Sequence, residues 1–324
     1  KTGNVLSNTN IFSVNNIEIN KESYKNRDLL INQIFKKGFL KLIERLLLDE
    51  DYKNLSNTSL EEIKKLISHY QIINSANKQL NKNSKFNIFF DKDRMHNFFY
   101  QRNLLYSDIL NTEIIFFPLL KNNDEYFIYT KNYFYENWSS EESNFLIEYN
   151  LPLENIENMK LINLYKNNIY EIDISNFFKE YNSNVMIFAI IEIKNKIAKV
   201  FLVSNISGKK LNKSILISKN NLGKDQFNNQ IIRKIKNEIR DLIKSQNLID
   251  VRTPSFLNVK IKLDNEDNLV TFKKKIEKIN LINNFYIQKL NKDYVLIKIK
   301  YLGKISKIIK KLKDQDISLK MIDG

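Results

Sequence analysis

SFLNVKIKLDNEDNLVTFKKKIEKINLINNFYIQKLNKDYVLIKIKYLGKISKIIKKLKDQDISLKMIDG, residues 255–324, spells out one folding unit through the spacing of its apolar side chains. Leu257, Val259, Ile261 and Leu263 alternate with Asn258, Lys260 and Lys262, the period of a strand with one buried and one wet face. Leu269, Phe272, Ile276 and Ile279 then recur at three- and four-residue steps, which sets them on one stripe of a helix. Phe285 to Leu290 reads as a second strand. After the turn Asn291-Lys292-Asp293, Val295, Ile297, Ile299 and Tyr301 alternate with Leu296, Lys298 and Lys300, so the two runs form a hairpin. Gly303 ends the run, and Ile305, Ile308, Ile309 and Leu312 make a second helical stripe. Finally Ile317, Leu319 and Met321 alternate with Ser318 and Lys320. The order strand, helix, strand, strand, helix, strand is that of the split βαβ, or ferredoxin-like, plan, with both helices on one side of a four-stranded sheet.

The alternation also predicts a surface. If the apolar set faces the helices, then Asn258, Lys260, Lys262, Lys298, Lys300, Ser318 and Lys320 share the opposite face. The first and third strands are central neighbours in this plan, which brings Lys260 and Lys262 close to Lys298 and Lys300. Like charges on adjacent strands oppose pairing by roughly 0.2–1 kcal/mol per pair. Compensation is expected from solvent and salt, from acidic residues elsewhere in the chain, or from an acidic partner. RNA-binding sheets of this topology add exposed aromatic rings, and the central strands as read here carry none. That argues against such a module and leaves contact with a phosphate backbone as the nucleic-acid alternative. Lys260, Lys262, Lys298, Lys300 and Lys320 are the candidate partner-binding residues.

Upstream, the N-terminal third has a similar order. Ile11 to Ile19 is strand-like, and a helix from about Tyr24 to Leu48 carries a broad apolar face. Ser59-Leu60-Glu61-Glu62 is a capping box opening a helix that runs to about Ser68, with His69 at its end. Strands follow near Tyr70 to Ser75 and Lys85 to Phe90, Asp91 caps a helix, and Glu113 to Leu120 returns as an apolar strand. The middle part is different in kind. Tyr126 to Trp138 is rich in aromatics, Ser139-Ser140-Glu141-Glu142 is a second capping box, and Phe145 to Tyr149 is a short strand. A helix is expected at about Ile172 to Tyr181. Val185 to Ile193, Ala198 to Ser204 and Leu211 to Ser218 then form a meander, covered by a long helix from about Lys224 to Gln246. The expected fold class is α/β in the α+β sense, as consecutive small units: 1–120, 121–252 and a ferredoxin-like 253–324.

Composition narrows the chemistry. The 324 residues suffice for two or three domains, and 43% hydrophobic with 12% aromatic residues is globular. No apolar run approaches the roughly 20 residues of a membrane helix. With no cysteine, disulfides, thiol nucleophiles and cysteine metal sites are excluded. Lys and Arg number 52 against 37 acids, a net charge of +15, which fits an anionic partner. The Asn, Ile and Lys bias, with 6 Gly and 3 Pro, is also that of an AT-rich genome, which inflates Lys without a functional demand. No phosphate-binding Gly loop, paired helical His or nucleophile elbow is present. Asp93 and His96 lie three apart on a helix and could serve as an acid–base or metal pair, although an Asp at a helix start ordinarily caps it. Glu141 and Glu142, adjacent on a helix, point apart. Trp138, Tyr129, Tyr133, Phe134 and Tyr135 line either a cleft or a minor core. No catalytic residue, cofactor or metal is assigned.

The opening strand and long helix (Phe12-Ser13-Val14 into Leu29 to Leu48), the tract Phe86-Asn87-Ile88-Phe89-Phe90-Asp91 leading to Ile114-Ile115-Phe116-Phe117-Pro118-Leu119, and Leu151-Pro152-Leu153 resemble a bacterial exported-protein family. That family is known only as domain of unknown function 2066. The resemblance implies a cleaved signal peptide and a periplasmic or envelope location, and it brings no catalytic residues. The chain begins at Lys1, so removal of a preceding segment, by a peptidase or by trimming, is expected. The expected function is a non-enzymatic interaction or assembly module of the envelope with an acidic protein or envelope component as partner. The alternative is a basic nucleic-acid-binding protein using the Lys-lined sheet.

Overall fold

The computed structural model describes residues 10–20, 26–73, 83–109, 112–123, 125–140, 147–181, 183–262 and 267–320. The chain opens with β1 (Ser13–Asn20) and α1 (Arg27–Leu46), whose N-cap Asn26 accepts from the Asp28 N–H at 2.8 Å. Ile34, Phe39, Leu42 and Ile43 of α1 are fully buried, as the apolar stripe requires. Gly38 lies on the same side, where a Cβ would run into the Ile88 side chain and stand 3.0 Å from Ile17, so helix and sheet approach closely there. After α2 (Asp49–Leu55), the Ser59 hydroxyl accepts from the Glu62 N–H at 3.3 Å and starts α3 (Leu60–Leu66). Then come β2 (Ile67–Ile73), β3 (Asn83–Phe90) and α4 (Lys92–Gln101), the last capped by Asp91, which accepts from the Arg94 N–H at 2.9 Å. The sheet order is β1-β3-β2, both pairs antiparallel. Residue 69 departs from expectation. The chain turns from α3 directly into β2, so His69 sits on a strand, stacked on Phe89 at 4.4 Å.

The short β4 (Leu105–Ser107) precedes β5 (Thr112–Asn122), the strand expected to close the N-terminal sheet. It instead pairs in parallel with β8 (Val185–Lys194). Its sequence explains the difference. Ile114 through Leu119 is apolar without alternation and buried throughout, the signature of a strand covered on both faces. The full sheet runs β10-β9-β8-β5-β6, built from β6 (Glu125–Phe127), β9 (Ile197–Ile206) and β10 (Lys209–Ser218), with β7 (Ile147–Asn150) also paired to β5. The meander β8-β9-β10 is as expected, and α7 (Lys224–Ser245) supplies Phe227, Ile231, Ile235 and Ile239 to the core on one side, with Ile187, Val200 and Leu202. On the other side Phe117, Phe188 and Ile190 meet Ile162, Phe177 and Phe178. Ile162 belongs to α6 (Ile156–Leu164), which the sequence reading missed, and the helix expected at Ile172 to Tyr181 is reduced to a 3-10 turn at Ile174–Asn176. Asn132, at the start of α5 (Tyr133–Glu136), is buried and donates to the carbonyls of Pro118 and Phe127, each at 2.9 Å. The second capping box extends beyond the described residues.

The last stretch holds β11 (Leu248–Asp250), β12 (Ser255–Lys262), α8 (Asp267–Ile276), β13 (Ile282–Leu290), β14 (Tyr294–Tyr301) and α9 (Ile305–Lys313). The sheet order β12-β14-β13, all antiparallel, is that of the first three strands of the split βαβ plan. The N-terminal sheet repeats that order. The fourth strand is a correction: Ile317 to Lys320 forms no ladder. Asp316 takes a left-handed conformation (φ 55°) and Ile317 donates its N–H to the Leu312 carbonyl at 2.9 Å, so this residue closes α9. The three described residues that follow it, 318–320, make no ladder, and Met321 lies outside the described residues.

The chain divides into two compact units, Lys1–Asp108 with Asn247–Gly324, and Ile109–Gln246. Within the first, β11 pairs antiparallel with β4, the Lys92 ammonium donates to the Ile282 carbonyl, and Lys307 of α9 pairs with the buried Asp108 carboxylate. The expected boundary at 252/253 thus separates two sheets of one unit, and that at 120/121 falls inside β5. Mixed helix and strand of the α+β kind is the fold class observed.

Candidate binding face on the C-terminal sheet

Alternation along β12 and β14 resolves into an inner and an outer face. Val259, Val295, Ile297 and Ile299 are buried, as are Phe272 and Ile276 of α8 and Ile308 and Leu312 of α9. The outer face follows from the register, which sets Phe256 opposite Lys300, Asn258 opposite Lys298, Lys260 opposite Leu296 and Lys262 opposite Tyr294. On the other side of β14, Asn284 stands opposite Lys300, Tyr286 opposite Lys298 and Lys289 opposite Leu296. The three strands carry five lysines and no carboxylate. Among the described residues no acidic side chain pairs with any of the five, although ion pairs are frequent elsewhere, as in Lys121 and Lys194 on Glu192.

One expectation about this face is refined and one is corrected. The lysines of β12 and β14 lie in neighbouring rows rather than directly opposite one another: Asn258 and Leu296 stand opposite Lys298 and Lys260, and the rings of Phe256 and Tyr294 stand opposite Lys300 and Lys262. Lys298 Nζ stands 4.4 Å from the centroid of the Phe256 ring, and Lys260 Nζ stands 4.1 Å from that of Tyr294, cation–π contacts that offset part of the charge crowding. The face is therefore also aromatic, contrary to the reading of the central strands. Phe256 is 50% exposed, Tyr286 on β13 is 48% exposed, and Tyr294 is half-buried. Sequence reasoning missed Phe256 and Tyr294 because each lies at the start of its strand, one residue ahead of the first apolar alternation. The available signal was parity: 256 shares its face with 258, 260 and 262. Tyr286 and Lys289 required the register of β13, which contains two irregularities. Of the five candidate residues, Lys260, Lys262, Lys298 and Lys300 share the face, while Lys320 is exposed in the segment without a ladder.

Elsewhere the proposed chemistry disperses. Asp93 is exposed, whereas His96 points inward, its Nε2 3.2 Å from the Tyr106 hydroxyl and its ring edge-on to Phe12. Burial first, and the charge of Lys92 second, push the His96 imidazole down to about 4, and burial raises the Tyr106 hydroxyl well above its ordinary value. The pair is a satisfied interior contact and not an acid–base couple. Among the described residues no three His, Asp or Glu side chains gather into a metal-holding group. Trp138, Phe134 and Tyr129 are buried, with Trp138 stacked on Phe116 at 3.9 Å, so the aromatic cluster is core. No described helix is long and apolar enough to cross a membrane.

Fold and face together define a mixed α+β protein with an open lysine–aromatic sheet. No family model matches the chain, so the likeness to the domain-of-unknown-function proteins stands on the quoted motifs alone. No curated protein matches it. Among solved structures, it is similar to the crystal structure of lipoprotein GNA1162 from Neisseria meningitidis, at 14% identity and a TM-score of 0.25, over 40% of this chain and 96% of that one. It is also similar to an uncharacterised protein's crystal structure at 9% identity and a TM-score of 0.18, over 42% of this chain and 92% of the other. At these TM-scores neither likeness defines a shared fold.

Proposed function

We propose that the chain is a non-enzymatic interaction module that engages an anionic partner through the outer face of β12, β14 and β13. The observation that carries this is the set of five lysines, without a carboxylate among them, on an open sheet. Genomic bias toward Lys explains the number of lysines but not the absence of acids, since α1 and α7 of the same chain mix both signs. An envelope location, implied by the resemblance, belongs to the same proposal and is tested separately by cell fractionation, where recovery with the cytosol counts against it.

The test of the face is retention on immobilised polyglutamate. The wild-type protein is expected to elute at higher salt than Lys260→Glu/Lys298→Glu, because each phosphate- or carboxylate-bound lysine releases counterions on binding. A control with the same charge change, Lys64→Glu/Lys65→Glu on the exposed side of α3, should elute near the wild type. If both double variants elute together, net charge and not the face is responsible.

A further inference from the structure

The rings on this face say more about the partner than the lysines do. A surface that only attracts negative charge does not need half-exposed aromatic side chains beyond the two that meet its lysines, and a ring left exposed gains most from a partner that can stack on its face. Phe256 on β12, Tyr286 on β13 and Tyr294 on β14 lie in three different cross-strand rows of the same face. The first and last are separated by six residues along the sheet, about 20 Å at the usual strand rise. Lysines stand between and beside them: Lys298 lies over Phe256, while Lys260 and Lys289 flank Tyr294 at 4.1 and 5.9 Å. The pattern sets π surfaces beside cations along three strands that carry no carboxylate.

From this we infer that the ligand of the face is a single-stranded nucleic acid, its bases stacked on Phe256, Tyr286 and Tyr294 and its phosphates met by Lys260, Lys289 and Lys298. The inference rests on the anion-binding reading above and refines it, and it concerns ligand chemistry irrespective of compartment. Single strands present both features at once, a negative charge at every unit and an unstacked ring at every unit. A duplex hides its base faces, and an acidic peptide offers charge without rings. Lysines resting over the rings are on flexible stems, so a base can displace the ammonium, which then turns to the phosphate.

The experiment is fluorescence anisotropy on the full chain with a labelled twelve-nucleotide oligothymidylate, the duplex of the same length, and polyglutamate. Expected is tighter binding to the single strand than to either competitor. Phe256→Leu/Tyr294→Leu, at exposed or half-exposed sites where the fold is checked by circular dichroism, should weaken the single strand about tenfold or more while leaving polyglutamate unchanged. Polyglutamate bound as tightly as the single strand, or a double variant with unaltered oligonucleotide affinity, overturns the inference while the anion-binding reading stands. Binding to none of the three overturns both.

Discussion

Lys298 of β14 reaches diagonally across to Phe256 of β12, its ammonium 4.4 Å from the ring centroid, on three strands that carry no carboxylate. Such a contact at a half-exposed site contributes only about 0.5–1 kcal/mol. Phe256→Leu is therefore expected to lower unfolding stability by no more than about 1 kcal/mol in a urea titration. A loss several times larger would make Phe256 a structural residue and remove it from the binding account.

The Asp108–Lys307 pair ties the C-terminal stretch to the N-terminal one. The Asp108 side chain is 2% exposed and that of Lys307 is 28% exposed. Lys307→Met strands a buried carboxylate and should cost about 3 kcal/mol, the low end for a broken buried pair because Lys307 is partly wet. Asp108→Leu added to it should recover most of that loss. Unchanged urea midpoints in the single variant would contradict the junction described.

Stability should also depend on His96. Unfolded, its imidazole titrates near 6.5; folded, burial and Lys92 hold it down to about 4. The unfolded chain therefore binds more protons between those values, so this contribution is complete above pH 6.5. It is lost as pH falls to 4, by about 3 kcal/mol. His96→Gln retains a group for the Tyr106 hydroxyl and removes the titration. Comparing urea midpoints of both proteins at pH 7 and pH 4 isolates the term, and equal pH slopes would refute it.

Gly38→Ala poses two opposed effects. Replacing a helical glycine gains about 1 kcal/mol of propensity, but the new methyl meets Ile88 and Ile17, and overpacking costs about 1–3 kcal/mol. A fall in Tm is expected from the balance. A rise would show that Ile88 relaxes without penalty.

Much of the fold was legible where one face of an element is buried and the other wet. The hairpin β13-β14, the meander β8-β10 and the stripes of α1 and α7 declare themselves by period. Legibility failed where both faces are buried, because Ile114 to Leu119 carries no alternation to say which sheet it joins. It failed again at Ile317, where capping of α9 took a residue that alternation assigned to a strand. The lysines of the face were readable from parity, and the same parity would have placed Phe256 and Tyr294 there had the strands been extended by a residue, but strand ends are set by backbone pairing rather than by pattern. Asp93 and His96 show the converse: helical spacing put them near each other, and the interior claimed only the imidazole.

The most direct measurement is lysine acetylation footprinting by mass spectrometry, with and without a bound polyanion. The account predicts slowed acetylation at Lys260, Lys262, Lys289, Lys298 and Lys300 together, with Lys64 and Lys65 unaffected. Protection confined to lysines off this sheet, with those five modified at their free rate, would contradict it.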